Sequence, residues 1–151
     1  METLACGAEE YLAFVLDVER YRQVDDKIGP IDWVRKEGAV TEFRFRPKMP
    51  LMPWSPKVVS QMTLTPGQRI DIEYAPPPAN RLARGLSSFR AFFACEPVEG
   101  GLRVTRSVTI TLPRLLRPVE RLTLGRQLQK SVERELALTP RALGLPRSAA
   151  R

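Results

Sequence analysis

The sequence predicts an α+β domain in which two short helices precede an antiparallel sheet of six or seven strands and one long helix follows it. Three observations predict this. Apolar residues recur at helical spacing over residues 8–24, alternate with polar residues between residues 31 and 112, and return to helical spacing after Pro113. With 151 residues the chain fits one domain, and a domain of that size buries roughly two-thirds of the surface its unfolded chain exposes.

The first residues, Glu2 to Cys6, suit a brief strand. Gly7 then opens a helix in which Ala8, Tyr11, Leu12 and Val15 fall on one face, with Glu9 and Glu10 in the first turn where the helix dipole favours acids. Asp17 caps a second short helix, Val18 to Val24, which ends in the polar run Asp25-Asp26-Lys27. That run reads as a solvated turn, because adjacent carboxylates are seldom buried.

From Ile31 the period becomes two. Thr41, Phe43 and Phe45 face one side while Glu42, Arg44 and Arg46 face water. The apolar parity continues through Val58, Ser60, Met62 and Leu64, and after the Pro66-Gly67 turn through Ile70, Ile72 and Tyr74. A last pair, Ser88 to Glu96 and Leu102 to Leu112, turns at Gly100-Gly101 with Val104, Val108, Ile110 and Leu112 inward. Such alternation marks antiparallel strands with one wet face.

Two proline-rich segments join strand ends. Residues 47–56, PKMPLMPWSP, carry Met49, Leu51, Met52 and Trp54, side chains a purely solvated loop rarely holds. Ala75 to Arg84 contains Pro76-Pro77-Pro78 and reads as a second loop. After Pro113 a helical pattern runs to about Leu138, with Leu115, Val119, Leu122, Val132 and Leu136 on one side, and Pro140 ends or kinks it. The chain beyond Gly144 is expected to fray.

Composition excludes several classes. Hydrophobic residues make up 43% and charged residues 27%, which argues against disorder. No apolar stretch approaches the roughly 18 residues of a membrane span, so a soluble, cytoplasmic protein is expected. There is no His, which removes the commonest metal ligand and the usual general base at neutral pH. Cys6 and Cys95 lack metal or redox spacing and are expected as small buried thiols. Neither a metal nor a cofactor is expected.

The net charge of +7 is local: nine basic and three acidic residues lie from Arg114 onward, against fifteen and fourteen before it. That basic segment has no Phe, Tyr or Trp to stack on a base, so no specific nucleic-acid partner is expected.

Residues 8–28 (AEEYLAFVLDVERYRQVDDKI), 33–47 (WVRKEGAVTEFRFRP) and 95–113 (CEPVEGGLRVTRSVTITLP), with the order of elements, carry a resemblance that spans nearly the whole chain. It resembles the SRPBCC superfamily, and within it the bacterial polyketide cyclase/dehydrase and lipid-transport-like proteins. The resemblance implies a START-like, helix-grip fold in which the curved sheet wraps around the long C-terminal helix. It implies residues 1–143 as one ligand-binding domain and 144–151 as a flexible basic tail. No catalytic signature defines this family, so the motifs report fold more than activity.

In that fold incomplete filling between sheet and helix creates a pocket. Its apolar wall is expected from Phe43, Phe45, Met62, Ile72, Tyr74, Phe89, Phe93, Val108, Leu122 and Leu136, with plain core packing as the competing explanation for each. Met52 and Trp54 are lid candidates; a surface contact or dimer interface is the alternative.

Polar residues at inward positions give the sharpest clue. Arg106 lies between Val104 and Val108, and Arg126, Gln129 and Glu133 share the helix face toward the sheet. Because an unpartnered buried charge costs several kcal/mol, these four form an internal ion pair, reach solvent, or anchor a ligand carboxylate or carbonyl. Tyr11, Tyr21 and Tyr74 are the remaining hydroxyls for acid or base work, poor bases at their ordinary pKa.

No Ser-centred elbow, phosphate loop or zinc spacing occurs, and no catalytic residue is nominated. The expected function is binding or carriage of a hydrophobic small molecule such as a lipid or polyketide. The alternatives are an aromatase/cyclase-like enzyme and a module binding an acidic protein partner through its basic last helix; a homodimer is left open.

Overall fold

Seven strands pair antiparallel throughout, in the spatial order β1-β7-β6-β5-β4-β3-β2. In chain order the elements are β1 (Glu2–Leu4), α1 (Ala8–Leu16), α2 (Val18–Tyr21), β2 (Ile28–Glu37), β3 (Val40–Pro47), β4 (Val58–Thr65), β5 (Arg69–Tyr74), α3 (Arg81–Leu86), β6 (Ser88–Val98) and β7 (Gly101–Thr111). The computed structural model describes residues 2–48, 55–111, 130, 134 and 138–144.

The alternation in the sequence fixes which face is inside. Phe43, Phe45, Val58, Ser60, Met62, Ile70, Ile72, Ala91 and Phe93 are buried, while Arg44, Arg46, Asp71, Glu73 and Arg90 point outward. The register aligns inward residues in rows across the strands. One row runs Thr41, Met62, Ile72, Ala91, Val108, and the next Leu64, Ile70, Phe93, Arg106. Arg106 therefore stands directly opposite Phe93 on the inner face, as the inward parity of β7 requires.

The N-terminal helices pack over this second row. α1 buries Tyr11, Leu12, Phe14 and Val15, and the Asp17 side chain caps α2 by accepting from the Arg20 backbone N–H at 3.3 Å. Tyr11 and Tyr21 meet Phe93 edge-on at 6.2 and 5.6 Å between ring centroids, and Phe14 meets Tyr21 at 5.7 Å. α2 stops at Tyr21 rather than Val24, and the chain bends back through residues 22–27 to begin β2.

At one edge β1 adds three residues to β7, where Gly101 is required: its φ is +153°, and a Cβ there would collide with the Leu4 carbonyl oxygen. At the other edge β2 is exposed along most of its length, including Trp33 and Val34.

Two expectations are corrected. The segment expected as a loop from Ala75 to Arg84 ends in the first four residues of α3, a helix of six residues that runs on to Leu86. Of the two outcomes expected at Pro140, an end or a kink, the end is overturned: helical backbone continues through it over residues 138–142; Thr139 is buried, and Leu138, Ala142 and Leu143 pack on the core. Arg20 donates to the Ala142 carbonyl at 2.7 Å, tying this segment to α2. Lys130 and Arg134 are helical, and the rest of the expected long helix lies outside the described residues.

Candidate functional site

A cavity of about 520 Å³ opens on the inner face of the sheet, within the usual range for sites that hold small organic molecules. Phe43, Phe45, Met62, Ile72, Tyr74, Phe89, Phe93 and Val108, all expected as wall residues, line it. Leu122 and Leu136 lie outside the described residues, as do the lid candidates Met52 and Trp54. The residues flanking that segment, Lys48, Ser55 and Pro56, border the cavity, and the Ser55 hydroxyl donates to the Pro47 carbonyl at 2.6 Å.

α3 forms another part of the border through Ala83 and Leu86. Asn80 holds it there. The Asn80 side chain accepts from the Val59 N–H at 2.7 Å and donates at 2.8 Å to the Val59 carbonyl, which also accepts from the Ala75 N–H at 2.9 Å. Asn80 itself adopts a left-handed backbone (φ 62°), a conformation its short polar side chain tolerates. Arg84 donates to the Tyr74 and Ala75 carbonyls at 3.0 Å, and the Tyr74 and Ser87 hydroxyls lie 3.1 Å apart. Leu82 projects away from the cavity and is 76% exposed.

Of the four expected polar anchors, Arg106 lines the cavity; Arg126, Gln129 and Glu133 lie outside the described residues. Asp25 corrects the expected solvated turn. Arg106 donates to the Asp25 carboxylate at 3.0 Å, with side chains 5% and 6% exposed. Lys27 approaches the other Asp25 oxygen with Nζ at 3.0 Å, and its backbone N–H donates to that oxygen at 3.0 Å. The bend after α2 carries its acid inward because Arg106 already stands there on β7.

Burial pushes the Asp25 carboxyl upward, but the Arg106 charge and then Lys27 outweigh it, so it titrates below the usual carboxylate range. Burial works against the Arg106 guanidinium, which Asp25 supports and which stays protonated. The guanidinium carbon lies 5.1 Å from the Phe93 ring centre, a cation–π distance.

The sequence singles out Tyr21 only as a hydroxyl, not as a site residue, and Asp25 only as part of a polar turn. Both line the cavity, as do Asp26, Lys27, Ser60, Ala91 and Ile110. Among the described residues, no cluster of His, Cys, Asp or Glu has the arrangement to hold a metal ion. The cysteines differ from expectation in being only half-buried. Burial, then the neighbouring Cys6, raises the Cys95 thiol to about 11; burial, then Glu10, raises Cys6. No helix among the described residues is long and apolar enough to cross a membrane.

No family model and no curated protein matches this chain. Solved structures do. TTHA0849 from Thermus thermophilus is similar with a TM-score of 0.72 at 16% identity, over 94% of this chain and 92% of that one. The di-domain ARO/CYC StfQ from the steffimycin biosynthetic pathway gives 0.69 at 12% identity, over 95% of this chain and 48% of StfQ, so the chain spans about half its length. The Zhui aromatase/cyclase from Streptomyces sp. R1128 gives 0.57 at 14% identity, over 94% and 87%. At these identities what is shared is the fold.

Proposed function

We propose that this chain, a START-like fold of the SRPBCC superfamily, binds or carries a hydrophobic small molecule in its cavity, with residues 1–143 acting as one ligand-binding unit. The observation that carries this reading is the roughly 520 Å³ of space left above aromatic and aliphatic side chains on the inner face. A guest there gains about 25 cal/mol for each Å² of apolar surface removed from water. Phe43 and Phe45, stacked at 5.1 Å, form one wall, and Tyr74 and Phe89 at 5.8 Å another. The test is titration with Nile red. Saturable binding is expected, and Val108→Trp, which fills the space with a larger side chain, should weaken it at least tenfold with the circular dichroism unchanged. No saturable binding by wild type would refute the reading.

An aromatase/cyclase-like enzyme is the second reading. It is favoured by the fold shared with two proteins of that description and by a guanidinium placed inside an apolar cavity. Arg106 would polarise a carbonyl while the walls fold a reactive poly-carbonyl chain, since orientation alone supplies much of such a barrier. Turnover of a poly-β-ketone substrate, lost in Arg106→Ala with the fold retained, would establish it.

A further inference from the structure

α3 stands where the cavity meets solvent. Its Ala83 and Leu86 line the cavity, and Leu86 is at the same time 47% exposed, while Leu82, one turn before it, is 76% exposed. A single exposed leucine is ordinary on a protein surface. Two at i and i+4, however, share one face of the helix, and here they continue the apolar lining of the cavity outward. The charge around them has one sign. Residues 74–95 hold three arginines and no acid. Among the described residues Arg81, Arg84 and the exposed Lys48, which also borders the cavity, meet no carboxylate.

We infer that α3 docks this chain on an anionic lipid surface, with Leu82 entering the interface and Arg81, Arg84 and Lys48 facing the headgroups, so that the cavity opens toward hydrocarbon rather than water. Attraction between basic side chains and an anionic surface adds to the burial of the apolar side chain, the combination by which short amphipathic segments hold a membrane reversibly. A second copy of the chain fits the patch poorly, because a two-fold contact through α3 would bring the arginines of both copies together. An acidic protein would answer the charge but not the opening: hydrocarbon lets an apolar guest cross it without meeting water. The docking rests on the surface of α3; the exchange of a guest there rests also on the reading that the cavity takes a hydrophobic molecule.

The experiment is flotation of the full chain with vesicles of phosphatidylcholine alone or mixed with phosphatidylglycerol, for wild type, Leu82→Ser, Arg81→Glu and Lys36→Glu. All three positions are exposed, so circular dichroism should be the same in every variant. Wild type should float with the mixed vesicles and stay behind with phosphatidylcholine alone, and raised salt should release it. Leu82→Ser should weaken binding about fivefold with no change of charge. Arg81→Glu should weaken it about tenfold, whereas Lys36→Glu, the same change of charge on the edge strand β2, should stay within about twofold of wild type. No flotation by wild type overturns the inference. Equal losses in Arg81→Glu and Lys36→Glu with none in Leu82→Ser also overturn it, since they mark attraction by net charge alone. Nile red titration without vesicles keeps the two readings apart: dye binding without flotation overturns the docking alone, and flotation without dye binding overturns the cavity reading alone.

Discussion

Arg106 on β7 and Asp25 in the bend after α2, 81 residues apart in the chain, are joined at 3.0 Å. The pair fastens the N-terminal helices to the sheet at the point where the cavity begins, and it is buried on both sides. Removing one partner takes the nearest opposite charge from the other in a medium that solvates it poorly, even though Lys27 still faces Asp25. Asp25→Leu or Arg106→Met alone should therefore cost about 3–5 kcal/mol, whereas the two replacements together should recover most of it. Urea unfolding midpoints measure all three; two single losses that simply add in the double variant would refute the coupling.

The same pair sets a pH dependence. Asp25 titrates below its unfolded value, which is near 3.8, because Arg106 and Lys27 outweigh the effect of burial. Its stabilisation is thus fully present above about pH 4 and is lost as pH falls further toward the folded value. Between pH 6 and pH 2 the urea midpoint of wild type should fall more steeply than that of Asp25→Asn. Parallel curves would show that Asp25 does not carry the acid limb.

The two thiols should be slow nucleophiles. With Cys95 raised to about 11, only about a thousandth of it is thiolate at pH 8. Iodoacetamide at that pH should modify native Cys95 at least a hundredfold more slowly than the unfolded chain, as followed by peptide mass. Equal rates in the two states would contradict the burial of this site.

Asn80 should be the residue that keeps α3 at the border of the cavity, since its side chain accepts from the Val59 N–H and shares the Val59 carbonyl with the Ala75 N–H. Asn80→Ala takes the Asn80 acceptor from the Val59 N–H, while the carbonyl keeps the Ala75 N–H, and should destabilise the domain by about 1–3 kcal/mol. Hydrogen exchange should quicken at Val59 and across α3 while β6 and β7 stay protected. Unchanged exchange in α3 would mean that Arg84, through Tyr74 and Ala75, holds it instead.

Much of the sheet is legible in the sequence because each inward position repeats the same parity. In β3 to β5 every second residue from Thr41, Val58 and Ile70 faces inward, and the buried set follows that count. The same count places Arg106 inside. Its partner is hidden: Asp25 stands in a polar tripeptide that locally resembles a surface turn, and only the three-dimensional approach of β7 makes burial tolerable. α3 is hidden for a different reason. Six residues after three prolines, containing Gly85 and an exposed Leu82, show no helical stripe, and a side chain outside the helix holds them in place. The Tyr21 hydroxyl gives a weak signal, since its position on α2 beside Val18 marks it as buried but not as lacking a partner.

Whether the space above the inner face of the sheet takes an apolar guest is tested most directly by native mass spectrometry of the purified protein, before and after extraction with organic solvent and after incubation with Nile red. A one-to-one adduct is expected, either carried through purification or formed with the dye, and lost in Val108→Trp. A bare chain under every condition, with the fold intact, would contradict the proposed role of the cavity.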